Sequence, residues 1–350
     1  MRAHTLLLAA CAALLPAPAM AQSADAAARN DLPRPYDTEQ DWAKLPPGLA
    51  WASVTSVEVS PDGFVFAIHR CFENSCADRS EPAILKFDKD GKFIQSFGAG
   101  MFSFPHGSAL DQEGNLWVTD LGGSFFTGPK EGEDPGGKIV KFDPNGKVLL
   151  VIDRAKLGSS EVIDQPTDLV VTPSGELFVT EGHAPKGRAY RVVHFSKDGA
   201  VLGSWGKGGE APGDFGEPHG IAIDTKGRLY IGDRQNNRVE IFDQTGKFID
   251  QWHQFGRPSG IFVDKHDRLY VADSESSSDG SRNKDPNIRR GIRIGSAETG
   301  EVTAFIEDGE ANEPRRSGAE GVSVDEAGNV YGAVVGRHML ERHVPKPAAR

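Results

Sequence analysis

Three side chains able to bind a metal, His106, His219 and Glu320, stand at one position of a sequence repeat in every second copy. Six copies are present. Their turn positions are Gly63, Gly114, Gly175, Gly227, Asp267 and Gly328, and eight residues before each stand Thr55, His106, Thr167, His219, Ser259 and Glu320. If the copies close into a ring, copies two, four and six aim two imidazoles and a carboxylate at one axis. That combination is a ligand set for catalytic zinc.

The elements that must position these residues are short strands. The turns recur at intervals of 40 to 61 residues, a period characteristic of propellers. Copy four is the clearest. Gly220–Ile223 reads as a strand, Asp224-Thr225-Lys226-Gly227 as a tight turn, and Arg228–Gly232 and Arg238–Phe242 as further strands. Asp243-Gln244-Thr245-Gly246 turns again, and Lys247–Trp252 is a fourth strand. Alternating aliphatic and aromatic residues suit strands packed between neighbouring sheets. The expected fold is all-β, a six-bladed propeller of four-stranded blades around a channel. Copy six has only three strands, so a segment near the N-terminus, Gly48–Ala52, is expected to supply the fourth and close the ring. Two long polar insertions, Leu121–Gly137 and Ser274–Arg290, leave the ends of second strands at the same rim as the histidines. Loops of that length read equally as lids or as plain connections.

The second-strand ends form an outer ring of polar residues. Asp120, Glu181, Asp233 and Asp273 recur there and read as scaffold carboxylates that hold backbone groups. Arg70 and Arg234 break the pattern. A guanidinium near a metal rim suits bidentate capture of a substrate carboxylate, although pairing with the rim acids is an equal alternative. His183, after Glu181-Gly182, is a candidate acid/base because imidazole titrates near neutral pH.

Residues 1–21 have the pattern of a signal peptide: Arg2, an apolar stretch from Thr5 to Leu15, and Ala19-Met20-Ala21 for cleavage. Export to the periplasm or outside the cell is expected. Residues 22–45 read as a flexible leader, 46–345 as the propeller and 346–350 as a tail. In an oxidising compartment Cys71 and Cys76 are expected to form a local disulfide. The formal net charge of −11, without a basic patch interleaved with aromatics, argues against nucleic acid as a partner. No segment reads as a membrane span, and a monomer is expected.

Several stretches carry a resemblance: His69-Arg70, Phe104-Pro105-His106-Gly107, Gln165-Pro166-Thr167-Asp168, Pro218-His219-Gly220 and Asp233-Arg234-Gln235-Asn236-Asn237-Arg238. The repeats resemble NHL repeats, and the whole propeller resembles peptidyl-α-hydroxyglycine α-amidating lyase, which cleaves a carbinolamide into an amide and glyoxylate. The resemblance implies zinc held by histidines from alternate blades, with His106 and His219 matching two of them. The third, in a Pro-His-Asp motif, corresponds to Ala319-Glu320-Gly321, so Glu320 stands in for a histidine. The family's structural calcium is bound partly through the Asp missing here, which leaves calcium an open expectation. The family's tyrosine base corresponds to His183, and its two arginines to Arg70 and Arg234. The implied ligand is a small molecule or peptide bearing a carboxylate. The same fold also serves as a non-catalytic binding module and as a metal-dependent hydrolase or lactonase, and fold alone does not separate these.

Overall fold

A computed structural model of the chain describes residues 26–123, 136–158, 163–183, 189–276, 287–311, 313 and 317–347. The signal-peptide stretch, the end of the tail and most of both polar insertions lie outside the described residues.

Six antiparallel four-stranded sheets form the blades. The inner strands are Val54–Val59, Pro105–Leu110, Pro166–Val171, Pro218–Ile223, Ile261–Val263 and Ala319–Val324. They contact one another in order around the channel, and the sixth touches the first. All six turn residues that follow them have positive φ, including Asp267 at 57°. Such a conformation suits Gly and is tolerated by Asp. The second strand of each blade is buried almost throughout. Aliphatic and aromatic side chains on both its faces pack between adjacent blades, as in the cluster of Phe66, Ile68, Leu116, Val118, Val140 and Phe142 that joins blades one and two.

The ring is closed by an N-terminal strand, but not by Gly48–Ala52. The strand is Tyr36–Glu39, paired antiparallel with Met339–Pro345 as the outermost strand of blade six. It lies within the stretch expected to be a leader. Its polar sequence, Tyr-Asp-Thr-Glu, is that of a strand with a single neighbour and mostly exposed side chains. Specific polar contacts fix the register: Arg342 donates two hydrogen bonds to Glu39 Oε2, at 2.9 and 2.7 Å, and Thr38 Oγ1 lies 2.9 Å from His343 Nδ1. Trp42, just beyond the strand, is buried against Phe87 and Tyr331, so this segment joins blades one and six. Among the described residues no helix is long and apolar enough to cross a membrane.

Candidate metal and catalytic site

The repeat places its rim by hydrogen bonds. Asp120 accepts from the backbone N–H groups of Ser103 and Phe104, Asp233 from Gly216 and Glu217, Glu181 from Asp164 and Asp273 from Arg257. Each carboxylate thus ties the end of a second strand to the segment entering the inner strand. These acids are scaffold, and they fix where the next two residues point.

His106 and His219 are the second residues of the inner strands of blades two and four and are buried. Each is followed by a glycine that the ring closure requires. A Cβ on Gly107 would lie 2.5 Å from the carbonyl oxygen of Thr167, and one on Gly220 would lie 2.4 Å from that of Ser259. These carbonyls from the next blade are the ones that His106 Nδ1 and His219 Nδ1 meet, at 2.8 and 3.0 Å. A carbonyl only accepts, so both rings carry their proton on Nδ1 and turn the Nε2 lone pair inward.

The structure brings His183 to the same point. Its Nε2 lies 3.2 Å from His106 Nε2, while its Nδ1 lies 3.0 Å from Glu217 Oε1. The three ring centroids are 4.7 to 5.1 Å apart. One nitrogen from each ring lies within 4.8 Å of the others, so the three histidines could hold a metal ion. Glu320 Oε1 joins them, 3.0 Å from His106 Nε2 and 3.5 Å from His219 Nε2. Two ligands of a tetrahedral zinc site with bonds of about 2.0–2.1 Å stand roughly 3.3 Å apart, which the 3.2 Å separation of the His106 and His183 nitrogens matches. His219 Nε2 is buried without a hydrogen-bond partner among the described residues, a position that a cation would satisfy.

Burial lowers His106 to a pKa of about 4 and His219 well below the usual value, so both imidazoles are neutral near pH 7. Burial acts to raise the Glu320 carboxyl, but the charges of Arg70 and Arg234 act against it and help hold it below the usual carboxylate range. The centre therefore gathers three imidazole nitrogens and an ionised carboxylate.

Both arginines stand one residue beyond a second strand, at the edge of this centre. Arg234 donates to Glu217 through Nε at 3.2 Å and Nη2 at 2.6 Å. Arg70 donates to Asn74 at 2.6 Å and stacks 3.7 Å above Phe104, and no carboxylate among the described residues lies within ion-pair distance of it. Cys71 and Cys76 form the expected disulfide and close the loop that carries Asn74. His69, adjacent to Arg70, turns away to the Pro82 carbonyl, 2.9 Å from its Nε2. Glu217 is the residue that the sequence reading missed. Two residues before each rim position stand Ser53, Phe104, Gln165, Glu217, Arg257 and Gly318, and the single acid in that column was the available signal.

The NHL repeat matches at residues 215–242. NHL repeat-containing protein 3 of Homo sapiens is 27% identical over 226 residues, covering 62% of this chain and 60% of that protein. A probable peptidyl-alpha-hydroxyglycine alpha-amidating lyase of Caenorhabditis elegans is 25% identical over 218 residues, covering 56% of this chain and 57% of that one. The chain thus spans less than two thirds of the length of either relative. Among solved structures, a gluconolactonase from Xanthomonas campestris has a TM-score of 0.59 at 14% identity, covering 92% of this chain and 97% of that one, a likeness of fold. The chain is a six-bladed propeller that carries an NHL repeat in blade four and is similar to α-amidating lyases.

Proposed function

We propose that this chain is a metal-dependent carbon–nitrogen lyase that splits a carboxylate-bearing carbinolamide at the channel mouth. The observation that carries this reading is the convergence of three imidazole nitrogens and a carboxylate at one point. Each histidine's other nitrogen is tied to Thr167, Ser259 or Glu217. Metal-binding histidines characteristically have such a second partner.

His106 and His219 would hold the metal, with zinc the expected ion and His183 or Glu320 completing the set. Zinc bound there would supply Lewis acidity toward the carbinol oxygen and lower the pKa of its hydroxyl. Arg70, which has no ion-paired acid among the described residues, receives the substrate carboxylate. Whichever of His183 and Glu320 is not a ligand accepts the carbinol proton. As the carbinol C–O becomes C=O, the C–N bond breaks, its electron pair goes to nitrogen, and that nitrogen takes up a proton. The products are an amide and glyoxylate, and no oxidant is consumed. The disulfide suits action in an oxidising compartment, after export.

The test is metal content of the purified chain by mass spectrometry beside a His106→Ala/His219→Ala variant, with glyoxylate release from α-hydroxyhippurate assayed on both. About one zinc per chain and glyoxylate formation, both lost in the variant, are expected. Metal without glyoxylate would turn the reading toward a hydrolase. No stoichiometric metal after incubation with zinc would make the chain a binding propeller.

A further inference from the structure

We infer that His183, oriented by Glu217, is the third metal ligand, and that Glu320 is the group that accepts the substrate proton. This rests on the lyase reading and assigns the two roles that it leaves open.

Three observations and one chemical argument carry the assignment. First, His183 has the arrangement of the other two histidines: an acceptor at Nδ1, here the Glu217 carboxylate at 3.0 Å, and Nε2 directed at the shared centre. A proton acceptor must reach substrate, but His183 Nε2 faces another ring nitrogen at 3.2 Å. Second, Glu217 is itself held by Arg234 through both carboxylate oxygens, with Arg257 3.9 Å away. Glu217 is thus a fixed support for His183. Such a carboxylate orients a ligating imidazole and raises its basicity as a ligand. Third, Glu320 has an oxygen to spare. Its Oε1 meets His106 and His219, while its Oε2 forms no hydrogen bond among the described residues. Fourth, a fully nitrogen-ligated metal keeps more of its Lewis acidity than one that also binds a carboxylate directly, because no ligand charge offsets that of the ion. The outcome would be a three-histidine centre whose third member comes from the end of a second strand in blade three, not from an inner strand.

The experiment compares His183→Ala, Glu320→Gln and Glu217→Gln. Each is stripped with chelator and titrated with zinc, then loaded with cobalt(II) for its visible d–d spectrum, beside thermal melting and glyoxylate release. We expect His183→Ala to bind zinc more than 100-fold more weakly. Glu320→Gln should keep zinc affinity within about threefold and retain a tetrahedral cobalt spectrum, while kcat falls about 10²–10⁴-fold, the usual contribution of a positioned base. Glu217→Gln should weaken zinc binding about 10- to 100-fold, the range for an outer partner of a ligating histidine. If His183→Ala does not fold, Glu217→Gln and His183→Asn carry the same test. Zinc lost from Glu320→Gln, or retained by His183→Ala or His183→Asn, would overturn the assignment. A wild-type chain that binds no zinc would instead refute the underlying lyase reading.

Discussion

Arg70 and Arg234 occupy one position of the repeat in different blades, and the structure uses them differently. Each follows the last residue of a second strand, is buried, and donates its backbone N–H to the residue two before the rim position, Ser53 for Arg70 and Glu217 for Arg234. The difference lies in that partner's side chain. Glu217 clamps the Arg234 guanidinium, whereas Ser53 offers no charge. The proton affinities diverge accordingly. Burial lowers Arg70 to about 10, with Glu320 acting against it and Arg234 reinforcing it. Burial also opposes the Arg234 charge, but Glu217 and Glu275 outweigh it and raise its pKa. Repeat geometry places a guanidinium, and a single neighbouring carboxylate decides whether it is ion-paired among the described residues.

Breaking the paired arginine gives the largest expected effect. Arg234→Ala leaves the buried Glu217 with His183 at 3.0 Å and Arg257 at 3.9 Å. Removing one partner of a buried pair costs about 3–5 kcal/mol. Chemical denaturation should show that loss, with the KM for α-hydroxyhippurate raised by less than about fivefold. Arg70→Ala should do the reverse. It removes a buried charge that has no ion-pair partner among the described residues, so the stability loss should be about 1 kcal/mol, near the centre of the distribution for single substitutions. The lost bidentate contact should raise KM about 100-fold, the equivalent of about 2.7 kcal/mol. Equal effects of the two substitutions on KM would break the comparison.

The fold was legible in the sequence because a propeller repeats its instructions. Six turns with residues suited to positive φ, and second strands apolar on both faces, mark every blade independently. The closing strand was not legible, because Tyr36–Glu39 is an outermost strand whose side chains are mostly exposed. No alternation marks such a strand, and contacts more than 300 residues away, such as Arg342 to Glu39, hold it in place. The site was legible in part for the same reason. His106, His219 and Glu320 share a repeat position, and the structure gathers them. His183 was visible as chemistry but not as a neighbour of His106, since it comes from another position of the repeat. Its place at the centre depends on a contact with Glu217 in the next blade.

The comparison can be sharpened by transplanting the difference. Ser53→Glu puts the blade-four acid into blade one, beside Arg70. It should lock Arg70 into an ion pair and raise KM about tenfold, with kcat little changed. Ser53→Gln carries the same bulk without the charge and should leave KM within about twofold. If both raise KM alike, crowding of the buried Ser53 site, and not the charge, is responsible.

The smallest expected effect concerns the surface on which Arg70 rests. Its guanidinium lies 3.7 Å above the Phe104 ring, and a cation over an aromatic face contributes about 0.5–2 kcal/mol depending on desolvation. Phe104→Leu keeps an apolar residue at the position and removes the π face. KM should rise about two- to fivefold with kcat unchanged, and the same substitution combined with Arg70→Ala should add nothing further. That non-additivity separates a ring that orients Arg70 from one that only fills space, because mutations acting through a single shared contact are coupled whereas independent packing effects add. Full additivity in the double variant would mean that Phe104 supports the mouth without acting through Arg70. The orientation of Arg70 would then rest on Asn74, the Pro105 carbonyl and the disulfide loop.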